Sequence, residues 1–106
     1  MKSIQKALII IFTTVIVSCS VLKLSEPTDV ELQKAQKIWS DITLPDLQEG
    51  FSIYKKKCGS CHYLYRPEQF NTEKWNKSLD LMKTKSNLTD FEYEKIRKYI
   101  LSKCND

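Results

Sequence analysis

An all-α fold follows from three features of this 106-residue chain. Apolar residues recur at helical rather than alternating spacing, Thr-x-x-Glu pairs stand where helices would begin, and no segment keeps the apolar–polar alternation of a half-buried strand. The expected architecture is three or four short helices in one small domain. There is no internal repeat and no low-complexity tract.

The first segment reads as an address rather than a fold element. Lys2 and Lys6 precede the apolar run Ala7–Val17. That run suits a signal-peptide core and is too short to span a bilayer comfortably. Ile16-Val17-Ser18-Cys19 then looks like a bacterial lipobox. The expectation is a cleaved signal peptide over 1–18 and a lipidated Cys19, with an uncleaved helix running to about Leu24 as the alternative. Both tether the remainder to a membrane, on the extracytoplasmic (periplasmic) face of a bacterial cell envelope. Stable anchoring needs more than one acyl chain.

Ser20–Pro27 is a polar spacer. Thr28-x-x-Glu31 resembles a capping box. It opens a helix of about 29–39, with Leu32, Ala35, Ile38, Trp39 and Ile42 on one stripe. Residues 19–44 thus form an anchored spacer with a short helix, and residues 45–106 the main domain. Pro45 suits the first turn of the next helix, about 45–57. Leu47, Phe51, Tyr54 and Cys58 share its buried face, and Gly50 marks either a close approach by another helix or a tolerated surface glycine. A loop over Tyr63–Phe70 is broken by Arg66-Pro67. Asn71 or Thr72 caps a helix of about 72–85 that places Trp75, Leu79 and Met82 on one face. Thr89-x-x-Glu92 opens the last helix, about 90–103, with Tyr93, Ile96 and Ile100 inward.

Chemistry is concentrated in Cys58-Gly59-Ser60-Cys61-His62. C-x-x-C-H is the attachment signature of a c-type haem. Two thiols at this spacing reach two vinyl groups, and the following histidine supplies an axial nitrogen to the iron. The small Gly59 and Ser60 let the backbone lie near the ring edge. The competing readings are a thioredoxin-like pair and a zinc site built from Cys58, Cys61, His62 and Cys104. With Cys19 on lipid and Cys58 and Cys61 on haem, Cys104 is left over, as a small apolar filler at a helix end or as a reactive thiol or intermolecular disulfide partner.

His62 is the one histidine in the sequence, and Met1 leaves with the signal, so Met82 is the one thioether left for the sixth position. A methionine also fills core gaps; an open iron, Asn87 or a lysine are the other possibilities. A His/Met iron is filled and suited to electron transfer, whereas an open one would bind small ligands and serve as a sensor. Loss of Lys2 and Lys6 takes the formal charge from +4 to +2. No dense basic run or recognised motif points to nucleic acid.

These residues resemble the monohaem class I cytochrome c family over about 46–103, and more narrowly the small lipoprotein-type bacterial c-type cytochromes. The resemblance rests on Gly50-Phe51 and Tyr54 before the motif, Pro67 after it, Trp75 and Met82 seven residues apart, and Tyr99-Ile100 in the closing helix. It departs from the better-known members in the short spacing from His62 to Met82 and in lacking a Met-Pro pair. The resemblance implies a cytochrome c-like domain wrapped around one covalent haem c, with Cys58, Cys61, His62, Pro67, Trp75 and Met82 about the cofactor and His62 and Met82 on the iron. It also implies that Pro67's carbonyl orients His62 and that the helices around Phe51 and Tyr99 cross. Trp75 would either donate to a propionate or pack. Arg66 would either pair with a propionate or face solvent. Tyr63 and Tyr65 would lie at the haem edge or on the surface. The implied role is single-electron transfer to redox protein partners, or electron entry within a larger oxidoreductase. Lys55, Lys56 and Lys57 would steer an acidic partner or form a solvated face.

Overall fold

The structure, a computed structural model, describes residues 24–59 and 64–106. Within them it is all-helical, with four α-helices and no strand. The helices are α1 (Asp29–Gln36), α2 (Leu44–Cys58), α3 (Thr72–Lys85) and α4 (Asp90–Lys103), with a 3-10 turn at Pro67–Gln69. None of them is long and apolar enough to cross a membrane. The signal-peptide and Cys19 readings lie outside the described residues, as do Cys61, His62 and Tyr63.

Each helix begins where a side chain satisfies its first free N–H groups. Thr28 donates its backbone N–H and its hydroxyl to the Glu31 carboxylate, both at 2.7 Å. Asn71 Oδ1 accepts the Lys74 N–H at 2.9 Å, so Asn71 rather than Thr72 caps α3. At α4, Thr89 Oγ1 accepts the Glu92 N–H while Glu92 accepts that of Thr89. A box absent from the sequence reading starts α2: Thr43 and Asp46 pair reciprocally, with Pro45 in the first turn.

Helix α4 is the central element, packing most extensively on α2 and also on α1, α3 and the 3-10 turn. Leu47, Ile96, Tyr99 and Ile100 are fully buried. The α2–α4 crossing is close at Gly50. A Cβ there would lie 2.1 Å from the Lys95 carbonyl oxygen and 2.9 Å from Tyr99 Cβ. Lys95 spans the same crossing, reaching Asp46 at 2.7 Å and Glu49 at 3.1 Å. Ile38, expected on the inner stripe of a longer α1, is instead 60% exposed. The helix stops at Gln36, and the turn that follows rotates Ile38 outward while Trp39 packs inward.

The N-terminal segment is fastened to α4. Lys103, whose side chain is 5% exposed, donates to Ser25 Oγ at 3.0 Å and Glu31 Oε1 at 3.2 Å. A buried ammonium is tolerable only with such partners. Cys104 is buried, with Sγ 3.3 Å from Thr72 Oγ1.

Two of these carboxylates tie stability to pH. Burial raises Glu31, but hydrogen bonds from Thr28 and Lys103 outweigh it and bring the pKa down to about 2. The Lys95 hydrogen bond, then those from Thr43, lower Asp46 to about 2 against a small opposing effect of burial. A depressed native pKa gives stability that is complete above the unfolded value and is lost as pH falls through the native one. Denaturation midpoints should therefore hold from neutrality to about pH 4.5, near the ordinary carboxylate values, and fall steeply towards pH 2. A Glu31→Gln, Asp46→Asn double variant should start lower and fall less. An equally steep fall in that variant would show that these groups do not carry the effect.

Candidate functional site

Helix α2 ends at Cys58, and Gly59 closes it by donating its N–H to the Lys55 carbonyl at 3.2 Å. The stripe that buries Leu47, Phe51 and Tyr54 carries the Cys58 thiol to the edge of a cavity of about 380 Å³. This falls within the usual size range of cofactor sites.

Helix α3 forms the facing wall. Trp75 and Leu79 are buried and line the cavity, and Met82, one turn on, lines it half-buried. The spacing that predicted one apolar face for these three residues thus brings Met82 to the cavity that Cys58 borders. Leu64, Tyr65 and Phe70 close it from the connecting loop, and Leu88 from the turn before α4.

An aromatic series stiffens the walls. Tyr65 and Phe70 have ring centroids 5.4 Å apart, and Phe70 meets Trp75 edge-on at 5.5 Å. Tyr54 also meets Trp75 edge-on, at 6.4 Å, and donates its hydroxyl to the Tyr65 carbonyl at 2.5 Å. Burial pushes the Tyr54 hydroxyl well above the ordinary tyrosine value, so it stays a neutral donor. Tyr65 itself is 46% exposed and marks the cavity's rim.

Trp75 donates its single N–H to the Pro67 carbonyl at 2.7 Å. Arg66 turns to Glu68 at 3.7 Å rather than into the cavity. Of the lysine run, Lys57 pairs with Glu92 at 3.4 Å and Lys55 lies over the Phe51 ring at 4.2 Å. Asn87 is exposed in a left-handed turn, with φ of 50°, and does not line the cavity. Cys104 does not line it either, and no cluster of three or more His, Cys, Asp or Glu stands among the described residues.

Sequence reasoning missed Leu64, Phe70, Lys74, Ser78 and Leu88 as cavity residues. Lys74 and Ser78 were legible in principle: each lies one position before Trp75 or Leu79, and they are four apart, so they flank the same helix face. Phe70 and Leu88 come from connections whose path only tertiary packing fixes.

These residues suit a covalently held haem. A porphyrin is flat and apolar, and the cavity offers aromatic and aliphatic walls, one thiol at its edge and one thioether opposite. Cavity and motif together define a c-type haem domain. Comparison with known proteins agrees: the dihaem cytochrome c family matches residues 54–106, half of the chain, and the chain belongs to that family. It is a c-type cytochrome, a class that works by haem-based electron transfer. The subfamily expectation is corrected, since the match is to dihaem cytochromes and not to the monohaem class I group. The sequence contains one C-x-x-C-H, at 58–62. No curated protein and no solved structure matches the chain.

Proposed function

We propose that this chain is a single-electron carrier that holds one haem and works while tethered to a membrane of the bacterial envelope, on its extracytoplasmic face. The observation that carries this reading is the arrival of Cys58 and Met82, from two different helices, at one apolar cavity. The bound haem supplies a one-electron ferrous–ferric couple. The chain's own contribution is to hold and enclose it. Cys58 and Cys61 would hold the ring edge, and His62 and Met82 would hold the iron. Trp75, through its bond to the Pro67 carbonyl, ties the 3-10 turn to α3. Held by two protein ligands, the iron would change oxidation state with little rearrangement, which favours transfer over substrate chemistry.

The apolar run 7–17 and the lipobox at 16–19 support the tether, which would keep the haem at high local concentration beside membrane-bound redox partners. Lys55 and Lys56 are exposed near the motif and favour an acidic partner.

Expression of the full chain with haem-maturation machinery tests the proposal. Purified protein should show the absorption of a low-spin c-type haem and a mass increase of one haem. Cys19→Ala should release it from membranes without changing the spectrum. A colourless product rejects the haem reading, two haems per chain reject the single-haem reading, and a Cys19→Ala protein that stays on the membrane rejects the lipid anchor.

A further inference from the structure

We infer that Lys74, seconded by Ser78, is the seat of a haem propionate; this rests on the haem reading above. A c-type haem brings two carboxylates as well as its apolar ring, and these need either water or a cation. The two residues for which the sequence left a propionate contact open have other partners here: Trp75 the Pro67 carbonyl and Arg66 the Glu68 carboxylate. Lys74 is the one charged side chain among the described residues that line the cavity. It stands one turn before Ser78, whose hydroxyl lines the same wall.

No carboxylate among the described residues pairs with Lys74. Its Nζ lies 4.2 Å from the Phe70 ring centroid. Phe70 is itself a cavity wall, so this contact holds the ammonium at the cavity's edge. An exposed cation–π contact is worth only about 0.5–1 kcal/mol, and it leaves the ammonium's three donors to reach other acceptors. Lys74 is exposed, as is Tyr65 across the mouth, while Tyr54, Trp75 and Leu79 form a buried floor. Polarity therefore rises from floor to rim. The acidic edge of a haem belongs at the rim, where a lysine and a hydroxyl on successive turns of one helix make a charge-assisted carboxylate clamp.

The test follows the haem-linked protonation of the loaded, full-length protein between pH 4 and 9, read both as the pH dependence of its midpoint potential and in its optical spectrum. Among the described residues the other titratable groups on the cavity are Tyr65, Tyr54, whose hydroxyl burial pushes above this window, and Cys58, which is taken up as a thioether. Lys74→Gln should raise the carboxylate transition by about 1 pH unit, the lower end for loss of a close opposite charge. Lys74→Arg should keep it in place. Lys85→Gln, at the far end of the same helix, removes an equal charge without touching the cavity and should leave it unmoved. If Lys74→Gln behaves like Lys85→Gln, the assignment is wrong while the haem reading stands. A wild type that binds no haem overturns both.

Discussion

Gly50→Ala should destabilise the domain by at least about 2 kcal/mol, although alanine is the better helix former. In an open helix the exchange would gain roughly 1 kcal/mol. Here the added carbon would sit 2.1 Å from the Lys95 carbonyl oxygen and 2.9 Å from its carbon. Both atoms belong to the backbone of α4, so no side chain can rotate away. Relief requires α2 and α4 to separate along the crossing that buries Leu47, Tyr99 and Ile100. The edge-on Phe51–Tyr99 contact, with centroids 5.3 Å apart, and the bridge from Lys95 to Asp46 would loosen together. Overpacking in ordinary cores costs about 1–3 kcal/mol, and a clash with main chain belongs at or above the upper end. For a domain of this size that is a fall in melting temperature of roughly 10 °C or more. Because α2 also delivers Cys58, haem occupancy should fall with stability. Thermal melts of the two proteins decide the matter, and an unchanged midpoint would mean that the helices do not cross this closely.

Gly50 also shows what can be read from one dimension. A glycine inside an otherwise helical pattern signals close approach, and the signal needs no knowledge of the partner. Caps are equally local: a threonine or asparagine and the residues just after it decide the start of a helix, and the observed bounds of α3 and α4 coincide with those drawn from the sequence. The box at Thr43 escaped because its third position is Asp46 rather than glutamate, although the shorter carboxylate still reaches back to the Thr43 N–H at 2.9 Å. Ile38 misled because the stripe continues past the point where the helix stops. The remaining differences concern partner choice. Whether Trp75 turns to a propionate or to Pro67, and whether Arg66 faces the cofactor or Glu68, depends on the path of a loop whose turn at Pro67–Gln69 no periodicity reveals. The partner of Lys74 was hidden for the same reason: it is a ring at the end of that loop. Family membership had a similar limit. The motif points to haem c, but the choice between monohaem and dihaem relatives rests on a profile spread over residues 54–106.

Replacing Met82 should change the iron's chemistry more than it changes the fold, and the pair Met82→Leu and Met82→Ala separates the two roles a methionine can play there. Met82 lines the cavity but is only half-buried. As a gap filler it would be matched in volume by leucine at a cost below about 1.5 kcal/mol, with no spectroscopic consequence. Alanine would leave a void and cost more, at the low end of the 2–5 kcal/mol range for buried methionine because part of the side chain already meets solvent. As an axial ligand it cannot be matched by either, since neither carries sulfur. The expected result is therefore that both variants lose the low-spin ferric spectrum, bind carbon monoxide rapidly when reduced, and show a lowered reduction potential. Met82→Leu should do so with its melting temperature little changed. Leucine cannot coordinate, so a ferric spectrum indistinguishable from wild type in Met82→Leu would assign the sixth position to another group or to none. Electron transfer through a His/Met centre would then be the wrong description of this cytochrome, while the family assignment would stand.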